Sequence, residues 1–131
     1  MLKTFTLKTA ETGFYNITSY VRQAVMESGV MSGIAVVFCP HTTAAITINE
    51  NAGPDVQTDL LFAFDKTFPD RPQFKHCEGN SAAHLRASCV GASETVIIDD
   101  NRLALGTWQG IYFVEFDGPR NRKFMVKIMR G

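Results

Sequence analysis

The stretch IYFVEFDGPRNRKFMVKIM, residues 111–129, decides how this chain is expected to fold. Two runs rich in aromatic and β-branched residues flank Gly118-Pro119, a dipeptide that marks a turn, so the segment predicts a β-hairpin. Glu115 and Asp117 are one residue apart and would project from the same face of a strand. Two like charges on one face need water, cations or a site to offset them. The turn carries Arg120 to its end, where a guanidinium can grip a phosphate or carboxylate with two N–H groups, although an ordinary hairpin turn is the simpler account.

Working outward, ETVIID (residues 94–99), a turn at Asp99-Asp100-Asn101, RLAL (102–105) and the glycine-bounded GTWQG (106–110) read as further strand structure. LKTFTLKT (2–9) alternates with Phe5 and Leu7 on the core side, joined at the margins by Lys3 or Thr9. GIAVVFCP (33–40) is a continuous apolar run ended by Pro40, and predicts a strand buried on both faces. In TTAAITINE (42–50), Ala44, Ile46 and Ile48 share one face, while Thr43, Ala45, Thr47 and Asn49 share the other, which can line a site.

Three helices punctuate these strands. NITSYVRQAVMESG (16–29) offers Thr18 or Ser19 as N-cap, Val21, Ala24, Val25 and Ser28 at helical spacing, and Gly29 as a stop. Pro54 opens the longest helix, with Val56, Leu60, Leu61 and Phe64 on one side and an end near Phe68-Pro69. A polar, proline-rich loop follows, and NSAAHLRASCVG (80–91) forms the last helix, capped by Asn80 or Ser81, burying Leu85 and Cys89 and ending at Gly91. Together these elements predict an α+β fold: one domain spanning residues 1–131, a largely antiparallel sheet or sandwich, and about three helices.

Composition narrows the function. The 13 basic residues balance 13 acidic ones, so no net charge drives general binding to nucleic acid or anionic membranes. Arg120, Arg122, Lys123, Lys127 and Arg130 nevertheless crowd the last dozen residues, as a phosphate-holding corner or a solvated strand face. No apolar run is long enough to span a bilayer, and the N-terminus alternates instead of forming a signal core, which predicts a cytoplasmic protein. Cys39, Cys77 and Cys89 form no CxxC pair and are odd in number, so reduced thiols are expected.

The chain holds only three histidines, and two of them bound HCEGNSAAH, residues 76–84, while the third opens HTTAAITINE at residue 41. His41, His76 and His84 could supply the three protein ligands of an open catalytic zinc site, yet the spacing from His76 to His84 matches no short metal motif. Taken singly, each is explained as readily by capping or hydrogen bonding. Asn80 and Ser81 start a helix, whose unpaired N–H groups suit an anion or simply need a cap. Glu50 and Asp55 flank a strand-to-helix junction and are candidates for a general base or for Mg²⁺ with substrate phosphates, while Asp55 also serves the helix dipole. Trp108 and Gln109 lie between glycines that let the backbone bend; the tryptophan suits the core or a stack on a heteroaromatic ring. Cys77 adjoins His76, but adjacent side chains rarely meet as a thiolate–base pair.

HTTAAITINENAGPDV, HCEGNSAAHLRAS and RLALGTWQGIYFVEFDGPRNRK together resemble the YjbQ family of secondary thiamine-phosphate synthases, in order and through nearly the whole chain. The resemblance implies a homotrimer with sites near subunit contacts, formed by His41, His76, His84, Glu50 and Asp55. It implies coupling of a pyrimidine-methyl diphosphate to a thiazole phosphate with release of diphosphate. Asn80, Ser81 and Arg120 then suit the diphosphate, Trp108 the pyrimidine, Gln109 beside it the substrate at large, and Glu50 with Asp55 a Mg²⁺ ion. Family members commonly read NADP where this chain reads NAGP, so Gly53 stands in place of an acid. Two alternatives keep the same histidines: a metal-dependent hydrolase of a small phosphorylated or amide metabolite, and a trimeric metal- or metabolite-binding protein without turnover.

Overall fold

The two runs around Gly118-Pro119 do not pair with each other. In the computed structural model, which describes residues 1–131, β7 (Gln109–Glu115) and β8 (Arg120–Arg130) belong to different sheets. The expected hairpin is therefore corrected to a crossover. Burial explains the difference: six consecutive residues of β7, Gly110–Glu115, are buried, whereas β8 alternates. A strand covered on both faces and a strand covered on one face occupy different layers.

The remaining elements are β1 (Leu2–Thr9), β2 (Gly13–Asn16), α1 (Thr18–Ser28), β3 (Ser32–Phe38), β4 (Ala44–Glu50), α2 (Asp55–Thr67), α3 (Ser81–Val90), β5 (Ser93–Asp99) and β6 (Arg102–Leu103). A five-stranded sheet runs β1-β8-β3-β5-β6 and a three-stranded sheet β2-β7-β4, with every pairing antiparallel. This is the single α+β domain that the strand and helix patterns predict.

The main core lies between the sheets. Ala35, Val37, Val96, Ile98, Phe124 and Val126 of the larger sheet meet Ile46, Ile111 and Phe113 of the smaller, and α1 adds Val21, Ala24 and Val25. Phe5 stacks on Phe124 with ring centroids 5.2 Å apart, bringing β1 into this core as its alternation predicts. A second cluster fills the other side of the three-stranded sheet, where Ala45, Val114 and Phe116 pack against Ala83 and Ala87 of α3 and Phe64 of α2.

Three local expectations change. Ile17, not Thr18 or Ser19, is the N-cap residue of α1, and Asn16 just before it supplies the polar contact: its side-chain oxygen accepts the Thr18 N–H at 3.0 Å and the Thr18 hydroxyl at 2.7 Å. Leu85 and Cys89 face outward, and α3 buries Ala82, Ala83 and Ala87 instead. The bulky Val114 and Phe116 beneath leave room only for small side chains. β3 is covered on one face only: Ala35 and Val37 are buried, while Ile34 and Val36 are half-buried and Phe38 is exposed. No element of this chain lies over that outer side. No helix is long and apolar enough to cross a membrane.

Candidate functional site

The end of β3, the start of β4, the start of α3 and the crossover from β7 to β8 converge on a cleft of about 400 Å³. Its walls include His41, His76, His84, Asn80, Arg120 and Arg122, with Glu78 as the one acid and Pro40 as the one apolar residue. The crossover is what brings Arg120 and Arg122 here, because a hairpin would have carried β8 back along β7.

His41 follows β3, and its Nε2 accepts the backbone N–H of Lys123 at 2.9 Å. Burial and the nearby positive charge of Arg122 push its pKa down, so near neutral pH the ring is neutral, with the proton on Nδ1. His76, in the exposed loop, and His84, in the first turn of α3, stand edge to face with ring centroids 5.3 Å apart. A cleft with two imidazoles side by side can donate or accept protons at a bound anion.

Asn80 occupies the N-cap position of α3, where its carbonyl accepts the Ala83 N–H at 3.1 Å but its side chain makes no bond to the helix. Its amide instead donates to Asp117 Oδ2 at 2.8 Å, and its Oδ1 is buried without a partner. The first-turn N–H groups consequently lack a side-chain cap, which favours an anion there. Ser81 begins the helix beside them. Asp117 also receives the Arg120 guanidinium, whose Nη2 donates to Oδ2 at 2.8 Å and whose Nε donates to the Asp117 carbonyl at 2.7 Å. Burial raises the Asp117 pKa, but the bonds from Asn80 and Arg120 outweigh it and hold the carboxyl below its ordinary range.

Beneath the cleft, Glu115 and Arg122 form a buried ion pair, with the two carboxylate oxygens receiving Arg122 Nε at 2.7 Å and Nη2 at 2.5 Å. The cations that Glu115 and Asp117 require are thus Arg122 and Arg120. In the sequence Glu115 is visible only as one of two like charges that need an offset, and Arg122 only as one of a basic cluster; their pairing with each other is what the fold adds.

Glu50, Asp55, Trp108 and Gln109 lie elsewhere. Glu50 pairs with Gln109 at the far end of β4, about 20 Å along the strand from Ala44 beside the cleft. Asp55 opens α2 as an exposed first-turn acid, as its dipole role requires. Trp108 is 64% exposed, so it is not a core residue. Gln109 turns its side-chain oxygen to the Gly106 N–H at 2.8 Å. One chain therefore carries two groups of site candidates, the histidines with Asn80, Ser81 and Arg120 at one end of the small sheet and the remaining four at the other.

A zinc site needs donors already aimed at one point. No three histidine, cysteine or acidic side chains are arranged to hold a metal ion. His41 offers a further obstacle, since its unprotonated nitrogen is committed to Lys123. The three histidines share a wall but do not fit a closed metal set as they stand.

Comparison with known proteins agrees with the architecture. Residues 3–131 match the family model described as UPF0047 protein YjbQ-like. The chain is 53% identical to the UPF0047 protein YugU of Bacillus subtilis over 131 residues, covering 98% of this chain and 99% of that one. It is 32% identical to the UPF0047 protein YjbQ of Escherichia coli O157:H7, over 98% of this chain and 96% of that one. A crystal structure of a YjbQ/UPF0047 family protein from Clostridium acetobutylicum superposes with a TM-score of 0.95 at 58% identity, over 97% of this chain and 99% of that one. A protein of unknown function from Sulfolobus solfataricus superposes equally well, with a TM-score of 0.95 at 33% identity, over 100% of this chain and 97% of that one. With the family model matched from residue 3 to the last residue, the chain belongs to the YjbQ (UPF0047) family.

Proposed function

We propose that the cleft binds the phosphate or diphosphate end of a small metabolite, and that the chain is an enzyme acting on that group. The observation that carries this reading is the largely polar wall, where three histidines, Arg120, Arg122 and a helix start without a side-chain cap surround one cavity against a single acid, Glu78. Such a surface returns to an oxyanion the hydrogen bonds it loses on leaving water.

The reaction that this reading favours is the thiamine-phosphate synthase type. The bond between the pyrimidine methylene and the diphosphate oxygen breaks, the leaving diphosphate takes the electron pair, and the thiazole nitrogen closes the new carbon–nitrogen bond. His76, His84 and Arg120 then stabilise or protonate the departing anion. Magnesium enters as part of the diphosphate substrate, and no step uses zinc at the histidines.

Pro40 is the one apolar residue of the cleft and offers no aromatic face for a pyrimidine, whereas the second group of residues includes the exposed Trp108. A homotrimer would reconcile the two, with Trp108, Gln109, Glu50 and Asp55 of one copy completing the cleft of another. Calorimetric titration with inorganic diphosphate tests the core of the proposal. Wild type should bind, and Arg120→Ala or His84→Ala should each weaken binding by roughly tenfold. Wild-type protein that takes up no diphosphate would remove this function.

A further inference from the structure

We propose that Arg122 is a fixed anion anchor on the floor of the cleft, and that Glu115 is a positioning residue acting through it. This rests on reading the cleft as a phosphate or diphosphate site, and assigns the groups that hold the anion in place.

Arg122 lines the cleft although only 5% of it is exposed. A guanidinium carries five N–H donors in a rigid plane. Nε donates to Glu115 Oε1 at 2.7 Å, and Nη2 donates to Glu115 Oε2 at 2.5 Å and to Thr43 Oγ1 at 2.8 Å. That leaves the two N–H groups of Nη1, for which the protein supplies no acceptor. Nη1 keeps access to the polar cavity, so its acceptor comes from outside the chain, as water or as an anion that displaces it.

Glu115 is in turn unable to move. Its Oε1 also receives the Thr9 hydroxyl at 2.7 Å, and its Oε2 the Asp117 N–H at 2.9 Å. Each carboxylate oxygen thus has two donors, so the guanidinium plane is set by β1, the turn before β4, β7 and the crossover together. The same stretch of chain orients the cleft further, because the next residue, Lys123, donates its N–H to His41. Preorganised donors of this kind need no rearrangement when an oxyanion arrives.

The chemistry selected is a tetrahedral oxyanion. Glu115 offsets the Arg122 charge, so the contribution of Nη1 is a short-range directed hydrogen bond and not a long-range field. A lysine keeps the charge but cannot hold the carboxylate in a fork while presenting a further nitrogen to the cleft.

Phosphorus NMR titration with inorganic phosphate and diphosphate tests the assignment, on wild type, Arg122→Lys and Thr9→Val, each below its own melting temperature. Arg122→Lys should lose tenfold or more in affinity, on the order of one charge-assisted hydrogen bond. Thr9→Val removes a hydroxyl that does not line the cleft but bonds Glu115 Oε1 at 2.7 Å and accepts the Arg120 N–H at 3.1 Å, and should weaken binding severalfold by loosening Glu115 and the start of β8 together. A folded Arg122→Lys that binds as wild type overturns the anchor. Should that variant not fold, unchanged affinity in Thr9→Val overturns the proposal by itself. Wild-type protein that binds neither anion would instead bring down the phosphate reading beneath it, a distinguishable result.

Discussion

Glu115 shows how one residue can serve stability and a site together. Burial alone would raise the pKa of its carboxyl, but the bonds from Arg122, Thr9 and the Asp117 N–H prevail and hold it below the ordinary 4.5. A depressed folded pKa contributes stability that is complete above the unfolded value and is lost as pH falls through the folded one. Melting temperature should accordingly fall as pH drops below about 4.5, and fall less steeply in Glu115→Gln, measured by circular dichroism. Glu115→Ala leaves Arg122 buried and unpaired and should cost about 3–5 kcal/mol in denaturant unfolding. His41 offers a second check at this scale. Nitrogen-15 spectra near neutral pH should show a neutral imidazole protonated at Nδ1, and a proton on Nε2 would contradict the bond from Lys123.

At the scale of elements, close approach decides more than propensity. α3 sits on Val114 and Phe116 through an alanine stripe, so Ala87→Leu should overpack the second cluster and cost about 1–3 kcal/mol by chemical denaturation. Because α3 also carries His84, that variant should weaken diphosphate binding as well. β3 and β8 are equally tight at Gly33, where an added Cβ would collide with the Met129 carbonyl. The helix start of α1 depends on a residue just outside it, and Asn16→Ala should cost about 1 kcal/mol. A loss near zero would show that the Asn16 oxygen does not hold the helix start.

For the whole molecule, the open question is what covers the outer side of the five-stranded sheet. Ile34 pairs with Met129 on one neighbour and with Ile97 on the other, and Ile97 is 64% exposed. All three helices of the chain are engaged elsewhere, so a second copy is the occupant consistent with the proposed homotrimer. Sedimentation analysis should find three chains in the wild-type particle and a smaller species in Ile97→Asp. A monomeric wild type would contradict both the trimer and the completion of the cleft by Trp108 from another copy.

Local pattern determined much of this protein. Alternation placed Phe5 and Leu7 inward, Gly29 and Gly91 ended helices, and the quoted blocks resembled the family to which the chain belongs. Those features depend on neighbours in sequence, or on motifs long enough to be specific. The tertiary structure decided what the sequence left open. A turn at Gly118-Pro119 serves a hairpin or a crossover equally well, and only the burial of β7 on both faces separates the layers. The convergence of His41 with His76, 35 residues on, and with Arg122, 81 residues on, is something no local pattern encodes. The distance from that cleft to Glu50 and Asp55 follows from the length of β4, and it appears only when the strand is laid in its sheet.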